Sequence, residues 1–195
     1  MNIIFKNKNG FTLAELLVTI TILGLVLGAI YEAYALNQHA YRKGEVSAEL
    51  TQNSRVILER MTREIRQAKG IATDLSAAST DATSTIEFED GHDISYVHYV
   101  HYFWDEVDET IKREVVAYYF SISGNPNSTS TYVAWDATPP VGESLENCTL
   151  EGPDIIGEYV TDLKLWKSEG INIYLTFKKG ENSINLSTKV FGRNL

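Results

Sequence analysis

The sequence predicts an α+β protein in which one long N-terminal helix packs on an antiparallel β-sheet domain. Three observations lead there. Phe11 to Ile30 is an apolar run of 20 residues; an amphipathic stripe continues it to Ala68; and beyond Gly70 come short runs of β-branched and aromatic residues divided by Gly, Asn, Pro and Ser.

The run FTLAELLVTITILGLVLGAI contains a single charge, Glu15. At about 1.5 Å per residue it forms a helix of roughly 30 Å, the hydrocarbon thickness of a bilayer. Lys6 and Lys8 precede it, so the positive-inside rule puts the N-terminus in the cytoplasm and the body beyond Tyr31 outside. Val46, Leu50, Ile57, Met61, Ile65 and Ala68 then recur at three, four or seven residues, with Arg, Glu and Gln between them. This predicts one continuous helix that is apolar all round in its first part and striped in its second. Gly70 is its expected stop, and Gly44 a soft point.

Candidate strands are Thr85 to Glu89, Asp93 to Phe103, Glu114 to Ser123, Tyr132 to Trp135, Glu158 to Lys167, Ile171 to Lys178 and Ser183 to Phe191, with a hairpin turn at Glu169-Gly170. A sheet with one apolar face is expected to cover the helix stripe. Ser123 to Ser130 and Ala137 to Pro153 read as long surface loops.

The net charge of −9 is uneven. Arg42 to Lys69 holds seven basic and four acidic residues, Asp74 to Asp162 two basic and eighteen acidic, and the chain from Lys164 six basic and two acidic. The acidic middle reads as solvated loops or as charge complementarity between neighbouring subunits. The overall sign disfavours nucleic acid as a partner. Cys148 is the only cysteine, so no internal disulfide is available, and it is expected as a small buried apolar residue.

Glu15 is the informative residue of the N-terminus. A charge in the bilayer costs about 2.5 to 3.5 kcal/mol on insertion scales, so it needs a partner. Cleavage between Gly10 and Phe11 creates one, a new α-amine four residues upstream in the same apolar surroundings. An amine on one subunit and Glu15 on its neighbour then neutralise each other when the helices are in register. Thr12 and Thr19 share the Glu15 face and either bond across helices or back to their own. Gly24 and Gly28 form a GxxxG pair for close helix packing.

Gly10-Phe11-Thr12-Leu13-Ala14-Glu15 resembles the prepilin cleavage and methylation motif of type IV pilins and type II secretion pseudopilins. The resemblance implies a leader at 1–10, cleavage after Gly10 by a prepilin peptidase and N-methylation of Phe11. It further implies a transmembrane and filament-core helix at 11–31, its amphipathic continuation at 32–70 and an extracytoplasmic β-rich head at 71–195. The partners implied are other pilins or pseudopilins, major and minor, the inner-membrane assembly platform and the membrane itself. The family also implies that the helix partly unwinds near Gly24 on assembly, whereas Glu32 stands where many major pilins carry a kinking proline. The ending Thr188-Lys189-Val190-Phe191-Gly192-Arg193-Asn194-Leu195 is similar to that of J-type minor pseudopilins, which implies a minor subunit.

Against this stands a secreted or singly anchored β-rich binding domain that never polymerises, for which Ala33-Tyr34-Ala35 offers a small-x-small cleavage site. No nucleophile motif, phosphate-binding glycine loop or HExxH is present, so no catalytic site and no cofactor are expected. His92, His98 and His101 with Asp90 and Asp93 do not suit zinc, because His98 and His101 are an odd number apart and point to opposite faces of a strand. Tyr96, Tyr99, Tyr102 and Trp104 read as sheet surface and core. Asp105 to Glu109 reads as a solvated hairpin tip, without the spacing of an EF-hand.

Overall fold

The computed structural model describes residues 12–91, 96–121 and 131–193. Its elements are helix α1 (Leu13–Gln67), a 3-10 turn (Ser79–Asp81) and strands β1 (Thr85–Glu89), β2 (Tyr99–Asp105), β3 (Thr110–Ser121), β4 (Ser144–Gly157), β5 (Val160–Ser168), β6 (Gly170–Lys179) and β7 (Asn182–Val190). The layout is α+β, as the sequence predicts. The chain divides into two compact units, Met1–Glu45 and Val46–Leu195.

In the first unit, α1 is unbroken through Gly24, Gly28, Glu32 and Gly44. Residues 13 to 34 are all exposed, including Leu25 and Ile30. An apolar surface on every side of a helix is suited to lipid or to other helices and not to water. This stretch is long and apolar enough to cross a membrane.

In the second unit the stripe meets its partner. Leu50, Ile57, Met61 and Ile65 are buried and belong to one cluster with Ile86, Phe88, Val100, Tyr102, Leu163, Ile173, Leu175 and Phe177. Burying each such side chain contributes about 1.5 to 3 kcal/mol. The cover is two antiparallel sheets rather than the single one expected, β1-β2-β3-β4 and β5-β6-β7. Their inner faces alternate as the strand period requires: on β6, Ile171, Ile173, Leu175 and Phe177 point inward.

Several strand boundaries shift. Tyr132 to Trp135 is not a strand; Val133 makes only an isolated bridge to Tyr118. The expected strand from Asp93 starts at Tyr99, residues 93 to 95 lying outside the described set, and the next begins at Thr110 rather than Glu114. The expected loop Ala137 to Pro153 instead holds most of β4. This strand sits at a sheet edge and carries no buried apolar run, so its composition reads as loop; pairing with β3 makes it a strand. Its bulges against Arg113, Val115 and Val116 accommodate Gly152 and Pro153, which an edge strand tolerates. Gly152 has φ +85°, and a Cβ there would meet the Arg113 carbonyl at 2.6 Å. Cys148, on this strand opposite Ala117, is half-buried rather than core.

α1 ends at Gln67, before the expected Gly70. Two backbone neighbours explain the stop: Arg193 N–H donates to the Arg66 carbonyl at 3.1 Å, and Gly91 packs so closely on the Gln67 carbonyl that no Cβ fits. The segment that follows the helix seals two sheet edges. Ala72 N–H donates to Glu87 of β1 at 2.8 Å; Thr83 and Leu165 of β5 exchange bonds of 3.0 and 2.8 Å, and Lys167 N–H donates to Ser76 at 2.8 Å.

One polar cluster joins helix to sheet. Glu64 Oε2 accepts from the Tyr102 hydroxyl at 2.7 Å and from Arg113 Nε at 3.0 Å. Burial, aided by the Glu64 charge, pushes the Tyr102 hydroxyl well above the usual tyrosine range. Arg113→Ala leaves Glu64 with only the more exposed Arg60, at 3.4 Å, as its cation and is expected to destabilise the fold by about 1 to 3 kcal/mol, whereas Ile65→Ala should lose about 2 to 5 kcal/mol to the cavity it opens. Urea unfolding of the full chain in detergent checks both.

At the β2–β3 hairpin, Lys112 Nζ reaches Asp105 at 2.7 Å and Asp108 at 3.0 Å. The hydrogen bond from Lys112 holds the Asp105 carboxyl below its ordinary value. A depressed carboxyl stabilises the fold above its unfolded pKa, and that contribution is lost as pH falls through the folded value. The Asp105 carboxyl should therefore titrate below the ordinary aspartate range in NMR, and Lys112→Met should raise the midpoint.

Candidate functional site

The first turn of α1 is held by a reciprocal pair. Thr12 sits just outside the helix, and its hydroxyl accepts from Glu15 N–H at 3.3 Å. In return Glu15 Oε2 accepts from Thr12 N–H and from the Thr12 hydroxyl, each at 3.0 Å. This is a capping box, a Thr followed three residues later by Glu, satisfying donors that every helix start leaves open. The sequence reading placed Thr12 on the Glu15 face but missed this role; the T-x-x-E spacing was the available signal.

Both bonds reach the same carboxylate oxygen, Oε2; no donor among the described residues reaches Oε1. Around Glu15 stand exposed Leu13, Leu16, Leu17 and Val18. The arrangement therefore presents one oriented acceptor on an otherwise apolar helix start. Gly10 and Phe11, the expected cleavage and methylation positions, lie outside the described residues.

Thr19 does not join the pair. Its hydroxyl donates to the Glu15 and Leu16 carbonyls, each at 2.9 Å, the back-bonding alternative for a threonine in a helix. A Cβ at Gly24 or Gly28 would meet nothing within 4 Å, so neither glycine answers a close contact inside this chain.

The remaining constellations have structural partners. His98 bonds Asp90 at 3.1 Å, while His101 bonds Glu114 at 2.8 Å and Thr85 at 2.7 Å, so the two histidines serve different pairs. His92 and Asp93 fall outside the described residues, among which no group of three His, Cys, Asp or Glu is placed to hold a metal. Tyr99 and Tyr102 are core, Tyr96 is exposed, and Trp104 donates its indole N–H to the Val160 carbonyl at 2.8 Å. Burial and the neighbouring Glu87 push the Tyr118 hydroxyl up to about 12.

Thr12→Val removes the hydroxyl from the cap. It is expected to speed amide exchange of Glu15 by about fivefold in detergent micelles, in line with the ~1 kcal/mol of a helix cap, and to leave exchange of the sheets unchanged. Hydrogen exchange by NMR reads both.

No curated protein and no solved structure matches the chain. Residues 5–31 do match a family model, and they bring together the Lys6 and Lys8 flank, Gly10-Phe11, the Thr12–Glu15 cap and the apolar helix start; the chain thus carries the prokaryotic N-terminal methylation motif of type IV pilin-like proteins.

Proposed function

We propose that the chain is a structural subunit of a type II secretion pseudopilus or a type IV pilus, a minor one by its Arg-Asn ending, and that it has no enzymatic role. A prepilin peptidase removes residues 1–10 by cutting after Gly10, and Phe11 is N-methylated. Residues 11–31 anchor the subunit in the inner membrane and form the filament core, residues 32–70 carry the helix onward, and residues 71–195 form a periplasmic or extracellular head. Its partners are other pilins, the peptidase and the membrane assembly platform.

The observation that carries this reading is a carboxylate near the start of an apolar helix within a matched methylation motif. A plain anchor gains nothing from a charge that costs several kcal/mol in lipid. Oε1, which no donor among the described residues reaches, supports a neighbour's terminal amine as the missing donor. Methylation keeps that amine charged, so the ion pair survives it. Gly24 and Gly28 allow close approach of a neighbouring helix in the assembled core.

Mass spectrometry of the mature N-terminus tests the processing step. A chain beginning at N-methyl-Phe11 is expected; one beginning near Leu36 makes it a secreted domain, and an uncut Met1 a simple anchor. Glu15→Ala should still insert and be cut but enter sheared filaments at least tenfold less. Undiminished incorporation would remove the pairing role.

A further inference from the structure

Each of the two sheets has two edges, and among the described residues three of the four are protected. The segment after the helix runs along β1 and β5. β4 is interrupted by bulges, holds Gly152 and Pro153, and carries Glu146, Glu151 and Asp154. Cover, bulges, proline and charge are the means by which sheet edges avoid pairing with foreign strands. β7, the outer strand of the three-stranded sheet, has none of them. Its nine residues pair with β6 in unbroken register, without Pro or Gly, and its one charge, Lys189, is taken up by Glu169.

The ladder decides which backbone groups this edge offers. On β6, Lys178 N–H donates to the Tyr159 carbonyl at 2.9 Å and so points to the β5 side. Backbone direction alternates along a strand, so Ile171, Ile173, Leu175 and Phe177 bond β7 at their partners Val190, Thr188, Leu186 and Ile184. The residues between these partners, Ser183, Asn185, Ser187 and Lys189, therefore turn their N–H and C=O groups outward, and all four are exposed. None of these outward groups has a hydrogen-bond partner among the described residues. Ile184 and Leu186 lie on the inner face at the rim of the core and are only partly buried.

We propose that β7 accepts an extended segment of a different polypeptide as a fourth strand of this sheet. A row of alternating outward donors and acceptors is satisfied by the backbone of another strand, which fixes the class of occupant. The pleat fixes its pattern: apolar residues at every second position cover Ile184 and Leu186, with polar residues between them. The outer face selects its charge. Lys178 is exposed there opposite Ser183, with no ion pair among the described residues, and the chain from Lys164 holds six basic and two acidic residues. The added strand therefore carries Asp or Glu among its polar residues. A second copy of the chain suits the edge poorly, because its own open strands are the interrupted β4 and a β7 whose outer face is equally basic. The contact uses the sheet alone and holds whether or not the chain enters a filament.

The experiment uses the full chain in detergent micelles and a fluorescent synthetic peptide, as long as β7, that alternates Ile or Leu with Thr and Glu. Saturable binding is expected by fluorescence polarisation. At saturation, hydrogen exchange of the Ser183, Asn185, Ser187 and Lys189 amides should slow about tenfold, while that of Ile184, Leu186 and Thr188 stays unchanged. N-methylation of the peptide's Thr and Glu amides, which face β7, should abolish binding; N-methylation of its Ile and Leu amides should not. Ser187→Pro removes one outward N–H and leaves the β6 ladder whole, so affinity should fall about tenfold with the urea midpoint kept. Should that variant unfold, the two methylated peptides on the unaltered chain decide the matter. Lys in place of Glu in the peptide should weaken binding about fivefold. Absent binding, protection elsewhere, equal binding of both methylated peptides, or indifference to the Lys exchange would each overturn the proposal. So would protection of the same four amides in concentrated chain without peptide, which makes a second copy the occupant.

Discussion

The head depends on one stripe of the helix. Leu50, Ile57, Met61 and Ile65 are the residues on which both sheets converge, and they fill a core that neither sheet closes by itself. A three-stranded and a four-stranded antiparallel sheet each have one apolar face, and that face needs an apolar neighbour. The helix supplies it, and the Glu64–Tyr102–Arg113 cluster at the same junction satisfies the polar groups that this burial would otherwise strand.

The same helix serves two solvents. Up to Tyr34 its residues are exposed and nearly all apolar; from Val46 onward apolar residues are confined to one face. Only the second pattern is explained by the fold of the chain. The first is the pattern that suits lipid or neighbouring helices as surroundings. The Thr12–Glu15 cap fits that division, because a helix that starts in an apolar medium has no water to satisfy its first amide groups.

Periodicity alone disclosed the helix and its buried face, and alternation disclosed β1 and the three strands of the second sheet to within about two residues. Those elements are legible because each buries an apolar face of its own. β4 was hidden because it is an edge strand rich in Glu, Asn, Gly and Pro, stabilised by pairing with β3 and not by its own apolar pattern. The end of α1 was misplaced for a related reason: the contacts that stop it come from Gly91 and Arg193, far away in sequence. At the candidate site, Glu15 stood out as a charge in an apolar run, but its bond to Thr12 needed the capping spacing to be read as geometry rather than as a shared face.

The segment between helix and sheets bears on how the two sheets stay soluble. Residues 71 to 83 run along β1 and then β5, so one short strap shields an edge of each sheet. A protease that nicked this strap would uncover both flanks together, and the clipped head would be prone to clump through strand-to-strand pairing even with its core intact. Resistance to digestion between Ile71 and Thr83 is thus a requirement for solubility.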